Sequence, residues 1–171
     1  MHQTTSDNKP ASLGHPERLL RLSIAHYKNK SVSDEDFHKW ATEEHCVRAA
    51  EIHAKHGIQM YDMMFTLQPA RDALSKLNAK LGSNWVVDDH DVVVEFYLRN
   101  VSALVNILDD PEFQVLQAAE GPWVDSQRGG ISASLGWVEF YIENGKPVNS
   151  SPGGKPTYER LNLSGINGLN L

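Results

Sequence analysis

The stretch Ser33 to Gly57, SDEDFHKWATEEHCVRAAEIHAKHG, holds four of the chain's eight histidines and reads as one helix with marked ends. Ser33, three residues before Asp36, makes a capping-box-like start in which short side-chain oxygens take up the free N–H groups of the first turn. Asp34, Glu35 and Asp36 suit the positive end of the helix dipole, and Lys55 and His56 the negative end. Gly57 can take the left-handed conformation that closes a helix. Stepping about 100° per residue puts His38, Ala41, His45, Ala49, Ile52 and His56 in one stripe. Glu44, Arg48, Glu51 and Lys55 fall to one side of it, and Asp36, Lys39 and Glu43 to the other. Small residues on that stripe let the helix approach a sheet, so a histidine between them projects into the space covered. Spacing argues against a metal row. His38 and His45 are roughly 10 Å apart along the axis, and no third ligand at metal-site spacing accompanies His53 and His56. Each histidine also has a plainer reading, as a partly buried or rim side chain with local hydrogen bonds.

The 171 residues suit one domain, and a net charge of −6 without a basic cluster argues against nucleic acid or an anionic membrane as partner. The single cysteine, Cys46, excludes an intramolecular disulfide and a cysteine-based zinc site. Cys46 and His45 point about 100° apart on a helix, so they do not form a thiolate pair, and Cys46 reads as a small buried hydrophobe. The first 17 residues are polar, lack the apolar run of a signal peptide, and read as a disordered leader of a cytoplasmic protein with no membrane span.

Working outward from the helix, RLLRLSIAHYK before it alternates Leu20, Leu22, Ile24 and His26 with Arg21, Ser23, Ala25 and Tyr27 as a strand. Beyond Gly57, IQMYDMMFTL is a second strand that ends at Gln68-Pro69. Residues 70–81 place Ala73, Leu74, Leu77 and Leu81 on one side of a short inserted helix. HDVVVEFYLR is a third strand with His90, Val92, Val94, Phe96 and Leu98 on one face. A helix in two pieces follows, its second piece restarted by Asp110 as cap and Pro111 at the first position. After an Arg128-Gly129-Gly130 turn, ISASLGWVEFYIE is a fourth strand, and the stretch 144–171 reads as an extended or mobile tail. Tyr158, Leu161, Leu163, Ile166, Leu169 and Leu171 could anchor that tail on a partner subunit. The order β-α-β-(α)-β-α-β is an α+β, ferredoxin-like split βαβ arrangement with a four-stranded antiparallel sheet over residues 18–143. Helices cover one face only, and a homodimer with two sheets packed face to face would cover the other.

These motifs resemble the EthD-like dimeric α+β barrel proteins, particularly those of fungal polyketide gene clusters. The similarity rests on Phe37, Trp40 and His45 in an acidic-turn helix, on Gly57, Ile58 and Tyr61, and on the helix start Asp110 to Phe113. The resemblance implies an enzyme of secondary metabolism that decarboxylates, dehydrates or cyclises a polyketide-type intermediate without a cofactor.

Such chemistry needs a closed pocket and placed acid–base groups, since a carbonyl that is hydrogen-bonded as its enolate forms requires only one proton to be moved. Histidine suits this, with an ordinary pKa of about 6.5. His45 from the helix and His90 from the third strand are the expected catalytic pair, with no metal. His26, Ser23, Tyr61 and Tyr97 are further pocket candidates. Trp40, Phe96, Phe113 and Trp123, with Ala41 and Val92 between them, would wall the pocket against an aromatic or polyketide substrate. Glu95 or Asp88 would orient a histidine. Two other readings share the fold: a cofactor-independent monooxygenase acting on a phenol or anthrone, and a non-catalytic dimeric binder of a hydrophobic metabolite.

Overall fold

The alternation of Leu20, Leu22, Ile24 and His26 builds the central strand, β1 (Leu19–His26), which is hydrogen-bonded on both edges. The computed structural model describes residues 17–128 and 131–160. The expected leader apart from Glu17, the Gly129-Gly130 turn and five of the six expected anchors of the tail, all but Tyr158, lie outside them. Chain order continues through α1 (Asp34–Trp40), a π-helical turn (Ala41–His45), α2 (Cys46–Lys55), β2 (Met60–Phe65) and α3 (Gln68–Leu81). Then come β3 (Val92–Leu98), α4 (Ser102–Leu108), α5 (Pro111–Ala118) and β4 (Ser132–Val138). The sheet runs β2-β3-β1-β4 with every neighbouring pair antiparallel, which is the ferredoxin-like split βαβ arrangement.

Register assigns the faces. Leu22 lies opposite Phe96 and Leu135, His26 opposite Val92, and Tyr61, Met63 and Phe65 opposite Phe96, Val94 and Val92. All of these share the face on which the helices lie, with Val92, Met63 and Phe65 packed against Phe37, Trp40 and Ala41. Phe37 is 1% exposed, and a burial of that kind contributes roughly 1.5–3 kcal/mol.

The helix from Ser33 starts and stops where its sequence says. Ser33 Oγ accepts from Asp36 N at 3.0 Å, and Gly57 sits at φ +87° with Ile58 N donating to His53 O at 3.1 Å. Its interior departs from a regular helix. Cys46 N donates to Ala41 O across the π-helical turn, so one extra residue is taken up there. The buried positions are consequently Phe37, Trp40 and Ala41 before the turn and Ala49, Ile52 and His53 after it. His38 and His56, at the two ends of the expected stripe, are rim residues, the first exposed and the second half-buried against Asp110, whereas His53, off that stripe, is the histidine that is buried.

Two other segments differ from expectation. The inserted helix α3 buries none of its residues, leaving Leu74, Leu77 and Leu81 exposed, and is tied down by Arg71, which donates to Thr66 O at 2.6 Å and to Asp91 at 3.1 Å. The fourth strand stops at Val138, because pairing with β1 runs out at Leu19. The chain then forms a hairpin, β5 (Ile142–Glu143) and β6 (Lys146–Pro147), about Asn144 and Gly145, both at positive φ. The stretch 144–160 folds back instead of running extended: Tyr158, expected as an anchor on a partner subunit, is buried in its own chain, its hydroxyl accepts from Phe140 N at 2.9 Å, and Arg18, just before β1, lies over its ring.

Asp110 clamps the helical layer. Its carboxylate caps α5 by accepting from Glu112 N at 2.8 Å, and also takes His56 Nε2 at 2.6 Å and Lys55 Nζ at 2.9 Å from the end of α2. His56 first, then Lys55 and the backbone N–H, hold this carboxyl well below the usual carboxylate range. A carboxyl with a depressed folded-state pKa contributes stability that is present above its ordinary value of 3.8 and lost as pH falls toward the folded value. Asp110→Ala is therefore expected to lower the urea midpoint at neutral pH, with the gap to wild type narrowing once the pH drops below about 4. Equal gaps at pH 7 and pH 3 would refute the clamp.

Candidate functional site

The π-helical turn ends at His45, and the ring of that histidine enters the space between helix and sheet. On one side it meets Trp40, ring centroids 5.0 Å apart. On the other, His45 Nε2 is 3.5 Å from Glu120 Oε1, on the turn that follows α5. Trp40 in turn stacks on Trp123, centroids 5.0 Å and planes 3° apart. Trp123 is positioned by its backbone: its carbonyl accepts from Asn29 N at 2.7 Å, and its N–H donates to Glu120 O at 2.8 Å. A single short turn thus carries both the acid and the stacked indole.

Burial drives both members of the His45–Glu120 pair toward neutrality. Desolvation lowers the His45 pKa, with smaller contributions from the charges of Arg48 and His26. Desolvation raises Glu120 to about 7. At neutral pH the pair consequently offers an unprotonated imidazole beside a carboxyl that still holds a proton for about half the time. His26 lies on the same sheet face, opposite Val92, which packs beneath Trp40. Its pKa is lowered by burial and then by the charge of His90. Among the described residues, the Nδ1 atoms of His26, His45 and His53 are buried without a hydrogen-bond partner.

A second group of rings adjoins this one. His53 sits within 4.8 Å of Tyr61, 5.1 Å of Phe96 and 5.7 Å of Phe113, ring to ring. Burial, with the charges of His45 and His56, pushes its pKa down to about 4. Burial also pushes the Tyr61 phenol far up and the Cys46 thiol up, and their side chains meet at 3.9 Å.

The expected pair is only half assembled. His90 lies in the loop before β3 and not in the strand expected to carry it, held by Asp88 at 2.5 Å and stacked on Tyr27 at 4.3 Å, whose other neighbours are the Arg128 guanidinium at 4.2 Å and Asp89 at 2.6 Å. Asp88 does orient a histidine, and the charge of that histidine reaches His26, whose charge in turn reaches His45. Ser23 and Tyr97 are corrected: register turns them to the face away from the helices, where both bind Glu95, at 2.9 and 3.0 Å. Glu95 therefore serves them and no histidine. Trp40, Ala41, Val92 and Trp123 pack into one cluster, which His45 joins through Trp40, and Tyr61, Phe96 and Phe113 gather around His53. Two residues were missed from sequence. Glu120 carried a signal, an acid at the end of a helix where the dipole disfavours negative charge; His53 was hidden by the assumption of a regular helix. Among the described residues, the three groups that could share a metal ion are Asp88, Asp89 and His90, two of them exposed and all three already engaged with neighbours.

The EthD domain model matches residues 29–127. A protein of Aspergillus terreus with the name "Putative oxygenase" is 46% identical over 133 residues, covering 78% of this chain and 82% of that one. "Dehydratase iacD" of Pestalotiopsis fici is 23% identical over 133 residues, 78% and 95% of the two chains. "Decarboxylase claH" of Passalora fulva is 21% identical over 152 residues, 88% and 96%. No helix among the described residues is long and apolar enough to cross a membrane.

The buried His53 sets a pH dependence separate from that of Asp110. Because its folded-state pKa lies below the ordinary 6.5, the unfolded chain binds the proton first, so stability present above about 6.5 declines as pH falls toward about 4. His53→Phe is expected to flatten the urea midpoint across that window, and an unchanged slope would show that His53 is not the group responsible.

Proposed function

The chain belongs to the EthD domain family, and from that premise we propose that it is a cofactor-independent lyase or cyclase that moves one proton on a polyketide-type intermediate with His45 and Glu120. The observation that carries the reading is the 3.5 Å approach of two half-buried groups whose environments shift their pKa values so that base and acid coexist at neutral pH. In a dehydration, the unprotonated imidazole of His45 takes the proton α to a carbonyl and the Glu120 carboxyl gives its proton to the departing hydroxyl, so that water leaves and a C=C bond forms. In a decarboxylation the C–C bond breaks toward the carbonyl, CO2 departs, and the same carboxyl protonates the enolate. His90, in contact with Asp88 in the loop before β3, is assigned the exchange of protons with solvent by way of His26. The stacked Trp40 and Trp123 suit a planar aromatic substrate. Met60 and Met64, both exposed on the outer sheet face, support a homodimer formed by that face.

A second reading has its own support, the 46% identity to the Aspergillus terreus relative with an oxygenase name. The same proton removal from a phenol or anthrone leaves an electron-rich anion, which can pass electrons to O2 with the substrate as reductant. Turnover under rigorously anaerobic conditions separates the two: a lyase keeps its rate, whereas an oxygenase stops.

His45→Ala and Glu120→Gln are each expected to lower kcat by about 10²-fold or more with folding intact, and His90→Ala by only a few-fold. The pH profile of kcat/KM should fall on the acid side below 6.5 as His45 takes a proton. It should fall on the alkaline side above about 7 as Glu120 loses one; Glu120→Gln should abolish the second limb. Near wild-type turnover in both His45→Ala and Glu120→Gln would sink the assignment.

A further inference from the structure

The outer face of the sheet carries a charge that its own chain leaves unanswered. Asp62 stands on the edge strand β2 between Met60 and Met64, which share its face, and lies directly opposite Glu95 of β3. Two carboxylates that face each other across a strand pair repel. Only one of them is satisfied. Glu95 accepts from Ser23 Oγ at 2.9 Å and from the Tyr97 hydroxyl at 3.0 Å, and lies 3.6 Å from Arg21 Nε. The Asp62 carboxylate makes no hydrogen bond or ion pair among the described residues. Burial first, and then the charge of Glu95, raises its pKa, while the charge of Arg21 lowers it.

The two methionines give that carboxylate its significance. Met60 is 43% and Met64 54% exposed, so a second copy laid over them covers Asp62 as well. A covered carboxylate without a cation is costly, and the arrangement requires one. Among the described strand residues of this face the cation is Arg21, whose side chain is 45% exposed. Within one chain β3 separates it from Asp62, at roughly 10 Å for two strand spacings. A two-fold axis that runs above β3 and along it carries β1 of each copy over β2 of the other. We propose that Arg21 of each copy pairs with Asp62 of the other, so that the outer sheet face takes a second copy of this chain in one register. The proposal rests on the homodimer reading given above and adds the contact that selects the partner. Glu95, near that axis, keeps its Ser23 and Tyr97 donors, which frees the guanidinium to reach across. By symmetry the pair occurs twice, and each of the four residues involved is answered only in the assembly.

Analytical ultracentrifugation of the full chain tests the pair by exchange of charges. Asp62→Lys and Arg21→Glu are each expected to raise the dimer dissociation constant about 10²-fold or more, because each sets like charges against each other at both contacts. Mixing these two variants should restore a dimer, since one chain's Arg21 then meets the other's Asp62 and Lys meets Glu at the second contact. The double variant Arg21→Glu/Asp62→Lys should dimerise with itself yet form no mixed dimer with the wild-type chain, and it decides the matter if either single variant does not fold. Single variants that dimerise as the wild type does overturn the ion pair and leave the homodimer standing. Mixed variants that stay monomeric, or a double variant that exchanges freely with wild type, place no Arg21–Asp62 contact between subunits and overturn it too. A wild-type chain that sediments as a monomer removes the homodimer reading and the proposal together. The lyase reading fails or stands separately, in the turnover of His45→Ala and Glu120→Gln.

Discussion

The structure depends on one extra residue in one turn. On a regular helix the buried triplets Phe37, Trp40, Ala41 and Ala49, Ile52, His53 would point about 120° apart, and only one of them could lie on the sheet. The π-helical hydrogen bond from Cys46 N to Ala41 O withdraws about 100° of that rotation and brings both triplets over the same face. The cost is one turn of wider, less regular helix. His45 is the last residue of that turn, so the irregularity that lets the helix pack also sets where its ring points. Trp40 on its inner side and Glu120 on the facing turn then define what the ring can meet.

Two histidine–carboxylate pairs in the same helical layer show how surroundings separate clamp from chemistry. Asp110 accepts from His56, from Lys55 and from the Glu112 N–H of α5, and these three donors hold its carboxylate charged despite burial. Glu120 lies beside His45 at a longer distance, and desolvation alone raises its pKa. The first pair is fully satisfied and joins the end of α2 to the start of α5. The second holds a proton that is weakly committed to either side, which is the condition that proton transfer at neutral pH requires. The same physical quantity, burial of a carboxyl, has opposite consequences because the number of donors around it differs.

The stack of Trp40 on Trp123 connects these arrangements to recognition. Residues 28 and 124 form an isolated bridge, and the carbonyl of Trp123 takes the N–H of Asn29, so the segment after α5 is attached to the end of the central strand. That attachment fixes Glu120 and Trp123 together. The acid that faces His45 and the ring that stacks on Trp40 belong to one turn, and neither can shift without the other.

Much of this was legible in the chain. Alternation in residues 19–26 and 92–98, the caps at Ser33, Gly57 and Asp110, and the order of elements were readable because each depends on neighbours within a few residues, where spacing and intrinsic preference decide. These determine an α+β split βαβ fold with a histidine-bearing helix across one sheet face. Four things were decided only in three dimensions. A π-helical turn has no local signature; it exists because two buried triplets must meet one sheet. The choice of His53 over His38 as a buried residue follows from that turn. Glu120 acquires its raised pKa from desolvation by elements distant in sequence. Ser23 and Tyr97 turn away from the helices because a strand has two faces, and only the packing of α1 and α2 determines which one becomes the site. Spacing along a chain can place a residue on an element, but what that residue touches is set by the element that arrives opposite.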